Sequence, residues 1–293
     1  MEKEVGESFV KWFSELSSKD VSIAGGKGAS LAEMFNSKFP IPPGFVISAQ
    51  SYAYFISSTG LDKRIKNILD RLNVDDTAAL NNASVKIREM IEEEKLPNEM
   101  GEEIVESYEM LGESHEKGDA LRMLKNSDEA FVAVRSSATT EDLADASFAG
   151  QQDSFLNIKG KKSLLDNVKK CMSSLFTARA IYYRTKKGFD HSKSQLAVVV
   201  QKMINSEKSG VMFSQNPMSH SKSIVIEAVW GLGEGIVSGR IKPDHYAVDA
   251  DLENFKILEI QVNTKKIAII KNSNGQNETI KLDVERAESR VLD

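Results

Sequence analysis

Cysteine is nearly absent from this 293-residue chain, which has only Cys171. An intrachain disulfide and a cysteine-based zinc site are both excluded. This scarcity fits a reducing cytosol, so a cytoplasmic protein is expected. Cys171 falls within a helical pattern and reads as a small core residue rather than a nucleophile. Histidine is almost as rare: only His115, His191, His220 and His245 occur. None stands at metal-ligand spacing from another, and no Ser-His-Asp or Cys-His arrangement can be picked out. An excess of positive charge is also missing. The 38 Lys+Arg against 43 Asp+Glu give a net charge of −5, so no nucleic-acid partner is expected. Long hydrophobic runs are lacking too. Leu196–Val200 is among the longest, far below the roughly 18 residues of a membrane helix. The start, Met-Glu-Lys-Glu-Val-Gly-Glu, has no apolar signal-peptide region. No membrane partner is expected.

What is present suffices for folding. Apolar residues make up 41% and aromatics 7% of the chain, enough for a sizeable core. At roughly 100–200 residues per domain, the length predicts about two domains or lobes.

Along the chain, Val10, Trp12, Phe13 and Leu16 are placed to pin an N-terminal arm to the body. Val21–Ala24 reads as a short strand. It leads into Gly25-Gly26-Lys27-Gly28, where a helix opens with Leu31, Met34 and Phe35 at helical spacing. Ile41-Pro42-Pro43-Gly44 cannot be regular structure. Phe45–Ile47 reads as a strand, with a helix following Ser48. Residues 61–126 read as a mostly solvated helical insertion, with Asp76 as an N-cap and Pro97 at a helix start. Ala130–Val134 is a buried-type strand ended by Arg135, followed by a long polar loop to about Gln152. Ser163–Lys186 reads as one amphipathic helix. Leu196–Ile204 and Gly210–Ser214 look like a hairpin around Asn205–Ser209. Further strands follow at 224–228, 245–248, 256–262 and 265–270. Without regular βαβ alternation, the fold class is α+β.

Three places invite a phosphate reading. Gly25-Gly26-Lys27-Gly28 fails the P-loop spacing, yet a lysine beside a helix N-terminus suits an anion. A phosphate site and a plain turn remain equally open there. Gly231-Leu232-Gly233-Glu234-Gly235 fails the dinucleotide fingerprint, because Ile236 stands at the third glycine position. A tight turn with surface glutamates is the plainer reading. The third place runs from Arg135-Ser136-Ser137-Ala138 through Thr139-Thr140-Glu141-Asp142 to Phe148-Ala149-Gly150-Gln151-Gln152. An arginine entering a long hydroxyl-rich loop is well placed to fork onto phosphate oxygens, and long loops in compact domains tend to be functional.

Six ordered segments together carry a resemblance: VSIAGGKGASLAEM, IPPGFVISAQSY, VAVRSSATTEDLADASFAGQQDSFLNI, SLFTARAIYYRTKKGFDH, AVVVQKMINSEKSGVMFSQNP and IVIEAVWGLGEGIVSGRIKPDHY. They resemble the phosphoenolpyruvate synthase (pyruvate, water dikinase) family, from about Val21 to Val248. Rifamycin phosphotransferases share the same nucleotide domain. The resemblance implies an ATP-grasp-like, two-lobed nucleotide-binding (PEP/pyruvate-binding) domain, with a first lobe at 1–195 and an incomplete second lobe at 196–293. It implies ATP and Mg²⁺ as ligands. It also implies that a histidine on a separate domain carries the phosphoryl group to pyruvate on a further domain. The overall reaction would convert ATP, pyruvate and water into AMP, phosphoenolpyruvate and phosphate. None of the four histidines here matches that motif. The family's metal ligands lie beyond Asp293, so a fragment of a longer enzyme, inactive alone, is expected.

Residue by residue, the resemblance implies that Lys27 contacts the phosphates and Arg135 neutralises the transferring phosphoryl group. The loop at Gly150 and Gln151 would cover the phosphates. Gln201, Lys202 and Met203 would form the adenine-side hinge, and Glu234 would face ribose or metal. A stand-alone nucleotide-sensing module is the alternative from a different functional class.

Overall fold

The computed structural model describes residues 8–112, 129–139, 153–191, 194–219, 221–249, 256–272 and 275–293. Helices and strands are mixed throughout, as the α+β reading requires. The chain divides into two compact units, 1–203 and 204–293.

The first unit opens with β1 (Val10–Trp12) and a 3₁₀ turn at Phe13–Glu15, then α1 (Val21–Asn36) and β2 (Gly44–Ile47). Four helices follow: α2 (Ala49–Ser58), α3 (Leu61–Leu69), α4 (Thr77–Glu93) and α5 (Asn98–Gly112). Then come β3 (Val132–Ala138), β4 (Ser154–Ile158), α6 (Lys161–Ser173), a 3₁₀ turn at Ser174–Phe176, α7 (Ala178–Lys186) and β5 (Leu196–Lys202). The five strands form one antiparallel sheet in the order β1-β2-β5-β3-β4. Its centre is β5, a run of β-branched residues with Val198, Val199 and Val200 fully buried, as suits a strand covered on both faces.

Alternation along the strands sorts the core into two layers. Val132, Val134, Val198 and Val200 face the helices α2 to α7. Val46, Ala197 and Val199 face α1, with Ala24, Ala32, Phe13 and Leu16. The 61–126 segment is helical as far as Gly112 but is not a solvated appendage. Leu61, Ile65, Ile87, Ile91, Met100 and Ile104 belong to the larger core layer. Its charged residues line the outer faces of helices whose apolar stripes are buried. Asp76 caps α4 as expected, accepting from the N–H groups of Ala78 and Ala79 at 3.0 Å each.

Four readings are corrected. Val21–Ala24 is a helical turn, because the Asp20 carbonyl accepts from the Ile23 and Ala24 N–H groups. Arg135 does not end its strand, since β3 runs on to Ala138, paired with β5 throughout. The 163–186 stretch is two helices, because Leu175 and Phe176 turn into the core and Thr177 caps a new start at Ala178, its hydroxyl accepting from the Ala180 N–H. No hairpin joins 196–204 to 210–214. β5 lies within the first sheet, so the expected lobe boundary at 195/196 moves to 203/204.

In the second unit, β6 (Lys208–Phe213), β7 (Ser223–Trp230), β8 (Asp244–Asp249) and β9 (Ile257–Gln261) form an antiparallel meander. A four-residue helix, α8 (Glu234–Val237), follows β7. A second sheet pairs β10 (Ile267–Lys271) with β11 (Asn277–Lys281), and α9 (Val284–Glu288) follows. A fully buried ion pair ties this unit together: Lys265 Nζ lies 2.6 Å from Asp244 Oδ1. Asp244 also accepts from the N–H groups of Asn263 and Val291, each at 2.9 Å. The pair thus joins β8, the loop before β10 and the last residues of the chain.

Candidate phosphate-binding site

α1 is two helical pieces merged across Gly25, whose φ of 67° and ψ of 172° are closed to most side chains. A Cβ there would stand 2.3 Å from the Ser137 carbonyl oxygen. Gly25 therefore serves both the turn and the close approach to β3. Beyond it the helix restarts at Gly26. Gly28 lies flat on the sheet, where a Cβ would already meet Val46 and Val199 at 3.3 and 3.5 Å.

Ser137 fastens this turn. Its hydroxyl donates to the Ala24 carbonyl at 2.8 Å and accepts from the Gly28 N–H at 3.1 Å. One fully buried side chain thus bonds on both sides of Gly25-Gly26-Lys27. The sequence does not single out Ser137. The hint was there: Arg135 and Ser137 share a strand face only if β3 continues past Arg135.

Arg135 pairs with Val199 and Ser137 with Ala197. Val199 and Ala197 belong to the layer under α1, so Arg135 emerges on the same face as the Lys27 turn. Its guanidinium is partly buried, and desolvation pushes its pKa down, though an arginine stays charged at any working pH. Among the described residues it has no carboxylate or hydrogen-bond partner. A partly buried cation without a counter-charge is costly unless an anion completes it. Lys27, half-buried, sits in the turn itself. The structure therefore brings Lys27 and Arg135 to one face of one sheet, bridged through Ser137.

The remaining candidates divide. Gly150 and Gln151 lie outside the described residues, as do His115 and His220. Gln201 is 7% exposed and donates from Nε2 to the Pro42 carbonyl at 3.2 Å, so its side chain holds the Pro42–Pro43 segment. The Lys202 and Met203 N–H groups are given to the Pro43 and Phe131 carbonyls at 3.0 and 2.8 Å. Those two donors are thus committed to the fold, and the Lys202 and Met203 side chains are half-buried.

Glu234 belongs to the second unit, where its carboxylate accepts from Asn277 of β11. The glycines around it have local reasons. Gly231, at φ 81°, presses on the Ile269 carbonyl, where a Cβ would stand at 2.2 Å. At Gly235 a Cβ would collide with Ile241. The tight-turn reading accounts for both. Among the described residues no group of three His, Cys, Asp or Glu side chains is placed to hold a metal ion. No helix among them is long and apolar enough to cross a membrane.

Residues 21–293 match the family model described as pyruvate phosphate dikinase, AMP/ATP-binding domain. The chain is 49% identical over 285 residues to a probable phosphoenolpyruvate synthase of Methanocaldococcus jannaschii, covering 97% of this chain and 23% of that protein. It is 40% identical over 309 residues to the phosphoenolpyruvate synthase of Pyrococcus furiosus, covering 94% of this chain and 36% of the relative. The phosphoenolpyruvate synthase of Helicobacter pylori is 44% identical over 247 residues, covering 82% and 29%. The chain thus spans about a quarter to a third of the length of these relatives.

Proposed function

We propose, from the premise that this chain belongs to the pyruvate phosphate dikinase AMP/ATP-binding domain family, that the α1 face of its first unit holds the phosphates of ATP. The observation that carries this reading is the Arg135 guanidinium, partly buried and without a counter-charge among the described residues, beside the turn that Ser137 fixes. Arg135 forks onto phosphoryl oxygens, and Lys27 adds a point charge at the turn. Both act by stabilising charge that spreads over the transferring group in a loose transition state, and their positions are set before the nucleotide arrives. Ser137 is a positioning residue that keeps the Lys27 turn docked on the arginine strand. The loop at Gly150 and Gln151 covers the phosphates, the Met203 side chain packs on the purine, and Glu234 takes the ribose side.

In this reading the two units are the lobes of an ATP-grasp-like domain, and Mg²⁺ arrives with the nucleotide. The names of the relatives support a place in phosphoenolpyruvate synthesis. A histidine on another domain would take the phosphoryl group and pass it to pyruvate, giving AMP, phosphoenolpyruvate and phosphate overall. Titration calorimetry of ATP with Mg²⁺ tests the site. Arg135→Met and Lys27→Met each weaken binding about tenfold or more, the loss expected for a charge-assisted hydrogen bond. Unchanged affinity in both variants would refute the assignment.

A further inference from the structure

The contact of α1 with the first sheet is made of small residues. Ala24, Gly28 and Ala32 lie against Val46, Ala197 and Val199, while Leu31 and Phe35 are only half-buried at its margin. Small side chains bring a helix close but interdigitate shallowly, so this contact does little to stop α1 sliding along its axis.

Hydrogen bonds register the helix at each end instead. At the N-terminal end, Ser137 of β3 bonds to Ala24 and Gly28. At the C-terminal end, the bonds run to the arm that precedes the helix. The Asn36 amide donates from Nδ2 to the Phe13 and Leu16 carbonyls at 3.0 and 2.8 Å. One turn earlier, Glu33 Oε2 accepts from the Ser18 N–H at 3.0 Å.

The arm is itself keyed to the sheet. Phe13 is 1% exposed, and a Cβ on Gly44 of β2 would stand 2.8 Å from its ring. The same ring meets Phe35 edge-on, with centroids 6.1 Å apart. At its other end the arm runs into α1. Ser17 gives its N–H and its hydroxyl to Asp20 Oδ2 at 2.7 and 2.8 Å, and the Asp20 carbonyl accepts from the Ile23 and Ala24 N–H groups. One short segment, residues 13–20, thus engages the first turn of α1, its last turns and β2. About 14 Å of helix separates Asn36 from Lys27, and a rigid element carries an axial shift along its length.

We infer that residues 13–20, with Glu33 and Asn36, form a clasp that sets the axial position of α1 on the sheet, which makes Asn36 a positioning residue for the phosphate contact of Lys27. This role presupposes that the α1 face binds ATP phosphates, and it extends that reading. The family model matches from residue 21, whereas the segment that places the lysine begins at Phe13.

The test is a double-mutant cycle on the whole chain, read by calorimetric titration of ATP with Mg²⁺ well below the melting temperature. Asn36→Ala keeps the helix, because alanine suits its last turn. It weakens ATP binding about three- to tenfold, no more than the Lys27 charge itself contributes. In the Lys27→Met background the same change costs nothing further, because no ammonium is left to misplace. In the Arg135→Met background it costs as much as in the parent. Glu33→Ala, which removes only the Ser18 bond, shows the same pattern with a smaller loss. A residue that served stability alone would lower the melting temperature without this dependence on Lys27. Hydrogen exchange without nucleotide gives a second readout: the Gly28 N–H exchanges several-fold faster in Asn36→Ala than in the parent. Parent-like ATP affinity in Asn36→Ala, a loss undiminished by Lys27→Met, or unchanged exchange at Gly28 would each overturn the clasp. A Lys27→Met chain that binds ATP as the parent does would instead overturn the ATP-site reading, and the positioning role with it.

Discussion

A guanidinium held partly out of water, with no counter-charge among the described residues, works against the fold that carries it, and this separates function from structure at Arg135. If the residue served packing alone, Arg135→Met would destabilise the first unit. With an anion as its missing partner, Arg135→Met melts at or above the parent temperature in the absence of ligand, while ATP affinity falls about tenfold or more. Ser137 should behave the other way. Ser137→Ala removes two buried hydrogen bonds and leaves the Ala24 carbonyl and Gly28 N–H short of a partner, costing about 1–3 kcal/mol of unfolding free energy in denaturant titrations together with ATP affinity. His191 gives a pH signature. Held near 4 in the fold and titrating near 6.5 once unfolded, it makes the unfolded chain bind more protons between those values. Its contribution to stability is complete above about pH 6.5 and is lost as pH falls toward about 4. His191→Gln, which keeps an acceptor for Arg184 and a donor for Thr185, should flatten the fall in melting temperature across that window.

Among elements, the Asp244–Lys265 pair makes the sharpest claim. Breaking a buried pair leaves one charge stranded, so Lys265→Met should destabilise the second unit by about 3–5 kcal/mol, and the double change to Asp244→Leu with Lys265→Met should recover much of that loss. Calorimetric scans of the two variants check it; equal destabilisation by both would mean the pair is not acting as a unit. Local grammar made many elements legible beforehand. Ser48 and Asp76 announced helix starts, and the valines of 198–200 announced a buried strand. What local grammar missed was settled by distant partners. Val21–Ala24 has strand-like residues, but a carbonyl three and four residues back makes them helical. Arg135 and Ser136 look like a strand's polar end, yet β5 continues to pair with them. The charges of 61–126 suggested a solvated insertion because the sequence shows both faces of each helix, while for the described helices up to Gly112 only the sheet decides which one is buried. Lys27 and Arg135 could be singled out as chemically unusual. Their shared sheet face, and the serine between them, depend on tertiary register and could not.

For the whole molecule, two compact units, a slightly acidic surface charge and a match across residues 21–293 to an AMP/ATP-binding family fit a part that binds a small anionic ligand in a local basic site. The central claim is that the Lys27 turn and Arg135 bind ATP phosphates, and thermal unfolding with and without Mg²⁺ and a non-hydrolysable ATP analogue tests it most directly. At about 100 times Kd the ligand should stabilise the parent chain by roughly 2.7 kcal/mol. Arg135→Met at the same ligand concentration should lose most of that gain while keeping its unliganded stability. A parent chain that melts identically with and without the analogue, or an Arg135→Met variant stabilised as fully as the parent, would contradict the claim.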